Sequence, residues 1–339
     1  MDIVTHALLG AVTAQSVCRP QHLRLAGAVG AIAALLPDLD VLIRSGDDAL
    51  TTLTYHRHFT HSLFFAPLGA LLASLLLWPI VRRHLNKAQV YIYALTGYLS
   101  ACLLDVCTSY GTHLFWPLIN TPVSLSIIAV VDPLFSLLLI IAITAATYGR
   151  RKVWCGIGLG CAVLYLSLGA IQHQRAFAAA EALAEQHGVT PSRIIIKPTL
   201  ANLILWRALI VDGDSIQAAA VRVGLNPEPI TYLGESAMLI DPIRWQQLPH
   251  SSRAYDDLHR FHALTEGMLG IHPQHEHFVG DLRYAMIPTS LAPIWGIEID
   301  PEHPDLPAVF KVDRTMTSAM KEQLFAMLKG RTVQEAAYK

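Results

Sequence analysis

The densest group of polar side chains lies at residues 55–62, where three histidines occur within six positions. Neutral imidazole is the commonest metal ligand, and the guanidinium of Arg57 can hold a phosphate or carboxylate through two hydrogen bonds. His56 and His61 are five residues apart, so a single helix would direct them about 140° away from each other. Both can serve one centre if His56 precedes the helix and a capping residue such as Thr60 starts it. The alternative is an interfacial histidine cluster that reaches toward water.

Two aspartates, Asp38 and Asp40, follow Pro37 at the end of an apolar segment. A proline at this point favours an extended exit from the helix, and residues two apart in an extended chain share a face. Their carboxylates could then bind one metal ion or bridge two. A helix-terminating turn is the alternative, but two carboxylates beside apolar sequence are costly, and we therefore favour metal ligands.

Other ionisable residues lie within or beside apolar stretches. His6 stands alone in the first of them, and a lone histidine in an apolar helix is more often a packing residue than a ligand. Asp105 is the stronger candidate for a functional residue, because it is surrounded by apolar residues and has Thr108 about one helical turn later. Asp132 precedes a proline and is equally compatible with a helix cap and a ligand.

The composition of the chain is that of a membrane protein. Asp, Glu, Lys and Arg make up 15% of its 339 residues, and 53% are hydrophobic. A soluble domain carries about 25% charged residues, so disorder, coiled coil and a simple soluble domain are excluded. The formal net charge is −1, which makes nucleic acid an improbable partner, and nothing in the sequence indicates a protein partner.

The apolar segments predict a mainly α-helical membrane domain over residues 1–171, with about five to six helices. The uncharged stretch 62–81 has the length needed to cross a bilayer. The segments 3–18 and 22–37 are shorter, at roughly 24 Å each. The remaining predicted spans are 88–109, 123–149 and 153–171.

The basic residues predict the orientation of this domain. They cluster at residues 19–24, 82–87 and 150–152, and the positive-inside rule allows all three clusters to be cytoplasmic at once. The chain then makes six crossings or near-crossings and emerges outside after residue 171. The residues placed near the outer ends of the helices are His6, Asp38, Asp40, His56, His61 and Asp105. We therefore expect a multi-pass membrane protein whose second half is extracytoplasmic, which in a two-membrane bacterium means periplasmic.

From residue 172 onward the composition predicts a soluble α+β domain, on the periplasmic side in this threading. Helices are expected at 176–186 and 252–269, and the turn at Asp212–Asp214 indicates a hairpin. The predicted strands are 193–197, 203–211, 216–223, 278–287 and 293–299.

Three histidines of this second domain, His272, His275 and His277, lie close to Glu276 and Asp281. A second metal site is conceivable here. Their spacing matches no established ligand pattern, so we favour a solvated loop.

Taken together, the N-terminal residues resemble the YdjM-type (YbcI-like) membrane-bound metal-dependent hydrolases of bacterial inner membranes, over about residues 1–175. The matching residues, in chain order, are Asp2, Thr5, His6, Gly10, Leu36–Asp40, His56, Arg57, Thr60–Ser62, Leu104, Asp105, Thr108, Gly111, Trp116, Pro117, Asp132 and Pro133. The resemblance implies a helical membrane domain with hydrolase activity. The ligands that it implies are His6, Asp38, His56, His61 and Asp105, with Asp40 and Asp132 as further candidates.

One position departs from the family pattern. Many members have a histidine four residues before the aspartate that matches Asp105, and this chain has Ala101 there. One branch of the family shares this loss and carries an additional polar C-terminal domain, so the resemblance implies a variant site. The order of His and Asp residues is also similar to that of zinc-dependent phospholipase C, which implies phosphoester chemistry.

The function predicted from the sequence is hydrolysis of a phosphoester or ester by water activated at a divalent cation. Zinc is the first choice for mixed His and Asp ligands, with manganese or magnesium as alternatives. His56 and His61 would ligate or protonate the leaving group, and Arg57 would stabilise oxyanion charge. The supporting residues would be Asp2, Thr60, Thr108 and Asp132.

A site at the membrane surface suggests a lipid-linked or amphipathic substrate. The lipid bilayer itself is the other expected partner of the chain. The rival predictions are an ion-coupled transporter and a non-catalytic scaffold with a structural metal.

Overall fold

The structure, a computed structural model, describes residues 1–224, 228–242 and 248–331. The chain forms two compact units. The first comprises Met1–Ile43, Tyr55–Ile171 and Leu200–Asn202, and the second comprises Arg44–Thr54, Gln172–Thr199 and Leu203–Lys339. The first unit is helical and the second contains two antiparallel sheets, so the predicted fold class is confirmed.

The N-terminal half of the chain is a series of apolar helices. Short 3-10 turns at Pro37–Leu42 and Phe59–His61 interrupt the series. The helices are α1 (Ile3–Val17), α2 (Leu23–Leu35), α3 (Thr51–Tyr55), α4 (Ala66–Val81), α5 (Lys87–Cys107), α6 (Pro133–Gly149) and α7 (Val153–Gln186).

Within the described residues, three helices are long and apolar enough to cross a membrane, namely Pro20–Leu42, Lys87–Cys107 and Val153–Gln186. A fourth crossing is counted when Thr51–His61 and Ala66–Val81, which meet at 87°, are treated as one span. α1 and α6 are apolar but shorter.

Two of the predicted spans are shorter as helices than their apolar sequence. The stretch 62–81 is helical only from Ala66, because Pro67 favours the first turn of a helix and cannot continue one from before it. The stretch 123–149 is helical only from Pro133, since the side chain of Asp132 accepts the free amides of the first turn. The prediction of helix was therefore wrong for residues 62–65 and 123–132, because apolar composition indicates burial in lipid or protein without specifying a helix.

The closest helix packing in the first unit is between α1, α2 and α5. A Cβ atom on Gly30 would lie 2.2 Å from the carbonyl oxygen of Gly10, and one on Gly97 would lie 2.3 Å from that of Gly30. Glycine therefore allows the three backbones to approach directly, as small residues commonly do between membrane helices. This packing brings the N-terminal end of α1 beside the C-terminal ends of α2 and α5.

The second unit contains the elements that follow α7. They are β1 (Arg193–Pro198), β2 (Leu205–Asp212), β3 (Ser215–Arg222), β4 (Ile230–Met238), α8 (Arg253–Leu264), β5 (Leu269–His272), β6 (His275–Asp281), β7 (Trp295–Glu298), β8 (Val309–Val312) and α9 (Ser318–Lys329). One antiparallel sheet has the order β1-β2-β3-β4 and the other has the order β5-β6-β7-β8. β2 and β3 pair as an antiparallel hairpin, with Asp212 opposite Ser215, which confirms the hairpin predicted at Asp212–Asp214.

Several predicted boundaries in this half differ from the structure. The alanine-rich segment is the end of one 34-residue helix, α7, and not a separate helix. The helix predicted over 252–269 ends at Leu264, and β5 begins at Leu269. β6 ends at Asp281 rather than near 287, because the chain turns there toward β7. The short strands β5 and β8 carry too few residues for a recognisable period-two pattern.

Candidate metal centre

Three predicted ligands meet at one end of the helical unit. His6 from α1, Asp38 from the 3-10 turn after α2 and Asp105 from the last turn of α5 each place one ligand atom within 4.8 Å of the others. Nε2 of His6 lies 3.1 Å from Oδ1 of Asp105 and 3.9 Å from Oδ2 of Asp38. Residues almost a hundred positions apart therefore form one cluster.

A fourth predicted ligand, His61, joins this cluster. Its Nε2 atom lies 3.1 Å from Oδ2 of Asp105 and 3.4 Å from Oδ1 of Asp38. The side chain is fully buried at the end of the 3-10 turn Phe59–His61. Two imidazoles and two carboxylates thus face one another in a buried space.

Four buried atoms of these side chains lack a hydrogen bond among the described residues, and one of them, Nδ1 of His6, is not the ring nitrogen that faces the cluster. The other three, Oδ2 of Asp38, Oδ2 of Asp105 and Nε2 of His61, are buried and have no hydrogen-bond partner among the described residues, although Nε2 of His61 lies 3.1 Å from Oδ2 of Asp105 and Oδ2 of Asp38 lies 3.9 Å from Nε2 of His6. Buried polar atoms without hydrogen bonds are rare and costly. A cation between them would satisfy all three, and mixed imidazole and carboxylate ligands suit zinc.

The two aspartates of the Pro37–Leu42 segment face different partners, which corrects the extended conformation predicted for it. The segment is a 3-10 helix with about three residues per turn, so residues two apart diverge instead of sharing a face. Asp38 points into the cluster with His6 and His61, and Asp40 points away toward His56.

Asp40 organises the residues that follow α3. Its carboxylate is paired with Nδ1 of His56 at 2.8 Å and accepts hydrogen bonds from the backbone N of Arg57 at 2.7 Å and Oγ1 of Thr60 at 3.0 Å. It also lies 3.3 Å from Nδ1 of His61, the ring nitrogen opposite the one that faces the cluster. Asp40 therefore orients His61, in the way that carboxylates behind metal-bound histidines commonly do.

Arg57 brings a positive charge to the cluster. Its Nη2 atom lies 3.1 Å from Oδ1 of Asp105, and Nη1 donates to Oγ1 of Thr108 at 2.7 Å. The backbone of Arg57 is left-handed, with φ of 58°, and its carbonyl oxygen accepts a hydrogen bond from the amide of His113. This turn directs the guanidinium inward, and the side chain is buried.

Two other predicted residues act as helix caps. Asp2 accepts hydrogen bonds from the amides of Val4 and Thr5 at the start of α1. Asp132 accepts from the first-turn amides of α6 and from the hydroxyl of Tyr165 at 2.8 Å. Their contacts support the cap interpretation that was left open for Asp132.

Two contacts at the site were not anticipated from the sequence. The amino nitrogen of Met1 contacts Oδ1 of Asp105. The hydroxyl of Tyr98, on α5, donates to the carbonyl oxygen of Thr60 at 2.7 Å. A tyrosine within an apolar helix needs a partner for its hydroxyl when buried, and that is the only sequence signal that could have pointed to this contact.

We expect Asp40→Asn to weaken metal binding without abolishing it. The change removes the charge behind His61 and replaces one of the two oxygens that pair with His56 and Arg57 by an amide group that cannot accept, while the cluster itself is retained. Loss of such supporting carboxylates typically costs about 10- to 100-fold in metal affinity. The affinity is measured by competition with a chelator of known affinity, and Asp47→Asn, an exposed aspartate nearby in the sequence, is the control. Equal affinities for the two variants would contradict the role given to Asp40.

Apolar helices with a buried cluster of imidazoles and carboxylates at their ends define a membrane protein with a candidate metal site. The family model described as YdjM inner membrane protein matches residues 1–176, which is more than half of the chain. The chain therefore belongs to the YdjM inner membrane protein family. No curated protein and no solved structure matches it.

Proposed function

We propose that this chain is a metal-dependent hydrolase of the bacterial inner membrane. The observation that carries the proposal is the cluster of His6, Asp38 and Asp105, joined by His61, in which Oδ2 of Asp38, Oδ2 of Asp105 and Nε2 of His61 are buried without a hydrogen bond among the described residues. These four residues would hold a divalent cation, with zinc preferred and manganese or magnesium as alternatives.

The residues around the cluster have complementary roles in this proposal. When bound, the cation supplies Lewis-acid polarisation and a nucleophile at neutral pH. Arg57, fixed between Asp105 and Thr108, contributes positive charge where negative charge develops on a phosphoester or ester.

His56 is the better proton donor of the two predicted acid–base histidines. Its side chain is 24% exposed, whereas that of His61 is fully buried against the two cluster carboxylates. Nδ1 of His56 donates to Asp40, so in the imidazolium form of the ring it would be Nε2 that gives a proton to a leaving group, and the neutral ring would remain paired with Asp40. In this proposal His61 is a metal ligand and His56 is the proton donor.

The surroundings of the site support a lipid-linked or amphipathic substrate. Leu39 and Leu42, on the same 3-10 turn as Asp38, are exposed, and so is Phe64 shortly after His61. Exposed apolar side chains beside a polar cluster suit a molecule with an apolar tail and a polar head.

The arrangement of the helix ends supports a multi-pass topology. The basic clusters at 19–24, 82–87 and 150–152 lie at the helix ends opposite those that carry the candidate ligands. By the positive-inside rule the site faces the periplasm. The chain enters α7 beside the basic cluster at 150–152, so we propose that it emerges on the opposite side of the membrane and that the second unit is periplasmic.

The proposal is tested on the full chain purified in detergent. Bound metals are measured by elemental mass spectrometry, and hydrolysis of phospholipid, isoprenoid phosphate and carboxylic ester is assayed before chelation, after chelation and after reloading with zinc or manganese. We expect activity that is lost and restored with the metal. His56→Gln should retain the metal and lose activity. A folded chain that takes up no cation would overturn the proposal and favour the transporter.

A further inference from the structure

We propose that the second unit holds a separate divalent-cation site made by His272, His275 and Asp313. One ligand atom from each of these residues lies within 4.8 Å of the others. Oδ2 of Asp313 is 3.6 Å from Nε2 of His272 and 3.9 Å from Nε2 of His275. Two imidazoles with one carboxylate are a common ligand set for zinc.

The fold brings these residues together from distant parts of the second sheet. His272 ends β5 and His275 begins β6, and the two pair across a two-residue turn. Asp313 directly follows β8, which lies at the opposite edge of the sheet from β5 in the pairing order. The sheet must therefore curl so that its two edges approach, and this explains why sequence spacing alone indicated only a solvated loop.

The three side chains differ in how firmly they are held. His272 is 5% exposed and stacks on the ring of Phe278 at 5.3 Å, so its orientation is fixed. Oδ1 of Asp313 accepts a hydrogen bond from the amide of Thr315 at 2.9 Å, which leaves Oδ2 directed at the two histidines. His275 is 44% exposed and gives a cation access from solvent.

Cation binding requires one rearrangement at the hairpin turn. The amide of Gln274 donates to Nδ1 of His272 at 3.2 Å, so the neutral ring carries its proton on Nε2, facing Asp313. Binding through Nε2 moves that proton to Nδ1 and releases the Gln274 amide. Because Gln274 is exposed, water can take over this hydrogen bond at small cost.

A cavity of about 270 Å³ adjoins the proposed site. His272 and Asp313 line it, together with Glu235, Ser290, Thr315 and Met286. Three protein ligands leave an open position on a tetrahedral cation. Most of the lining is apolar, and its few polar side chains suit water or a small ligand that binds the cation through an oxygen atom.

The test is a metal titration of the full chain with zinc alone, in the wild type and in His275→Ala, Asp313→Asn and His277→Ala. His277 is exposed two residues after His275 and lies outside the proposed ligand set, so its replacement is the matched control. We expect the first two variants to lose one equivalent of zinc, or to bind that equivalent more than about 100-fold more weakly, and His277→Ala to match the wild type.

A variant of the candidate metal centre in the first unit distinguishes zinc bound there from zinc bound at the second-unit site. Asp38→Asn should remove a different equivalent, so Asp38→Asn combined with Asp313→Asn should lose both. The same stoichiometry and affinity in the wild type, His275→Ala and Asp313→Asn would overturn the proposal, as would equal losses in the His277→Ala control. His275 lies at an exposed turn, so its variant keeps the test decisive if Asp313→Asn does not fold.

Discussion

Asp105→Asn is expected to leave the candidate metal centre of the first unit without a tightly bound metal ion. Asp105 is fully buried, and its carboxylate faces His6, His61 and Arg57. An asparagine offers one neutral oxygen in place of a bidentate anion, so we expect the metal affinity to fall by more than about 100-fold. The buried guanidinium of Arg57 also loses its counter-charge, which lowers the free energy of unfolding by about 3–5 kcal/mol.

The matched control for this prediction is Asp132→Asn. Asp132 is equally buried in the same unit, but its carboxylate contacts the first turn of α6 and Tyr165. Asparagine is also a good helix cap, so this variant should keep both fold and metal. Metal content is measured by elemental mass spectrometry, and stability by thermal unfolding in detergent. Full metal retention in Asp105→Asn, or equal loss in both variants, would contradict the assignment of Asp105 as a ligand.

The second large effect is expected from Gly97→Val, far from the polar cluster. A Cβ atom on Gly97 would lie 2.3 Å from the carbonyl oxygen of Gly30 and 2.8 Å from its Cα atom. Because both are backbone atoms, they cannot rotate away, and α5 must move away from α2. We expect a loss of about 3 kcal/mol in the free energy of unfolding and a displaced site.

The same experiment on Gly160→Val provides the comparison. Gly160 lies on α7, and a Cβ atom there would have no atom within 4 Å. Both variants introduce the same side chain into an apolar helix, so a difference between them isolates the helix contact. Thermal unfolding in detergent and metal content are measured for both. Similar thermal stability and metal content in the two variants would mean that the packing of α2 against α5 does not position the site.

Much of the fold follows from local sequence signals. Apolar segments of the right length predicted the membrane helices, and the Gly213-Asp214 turn predicted the β2–β3 hairpin. These features depend on composition and on contacts between near neighbours. The starts of α4 and α6 depend instead on single residues, Pro67 and Asp132. Apolar composition alone therefore does not predict where these two helices begin.

Local sequence signals predicted only part of the candidate site. The residue types at His6, Asp38, His61 and Asp105 are unusual in apolar sequence, because a polar group there is costly without a partner, and that alone made them candidates. The sequence could not separate Asp38 from Asp40. That distinction depends on whether residues 37–42 are extended or 3-10 helical.

By itself, the sequence determined that this is a membrane protein of helical spans followed by an α+β region, and which residues were candidates for chemistry. The tertiary structure decided which candidates meet. Gly10, Gly30 and Gly97 let α1, α2 and α5 approach until His6 and Asp105 lie 3.1 Å apart. In the second unit, the curl of a sheet placed Asp313 beside His272. Both juxtapositions depend on backbone packing between distant segments, which residue spacing along the chain does not encode.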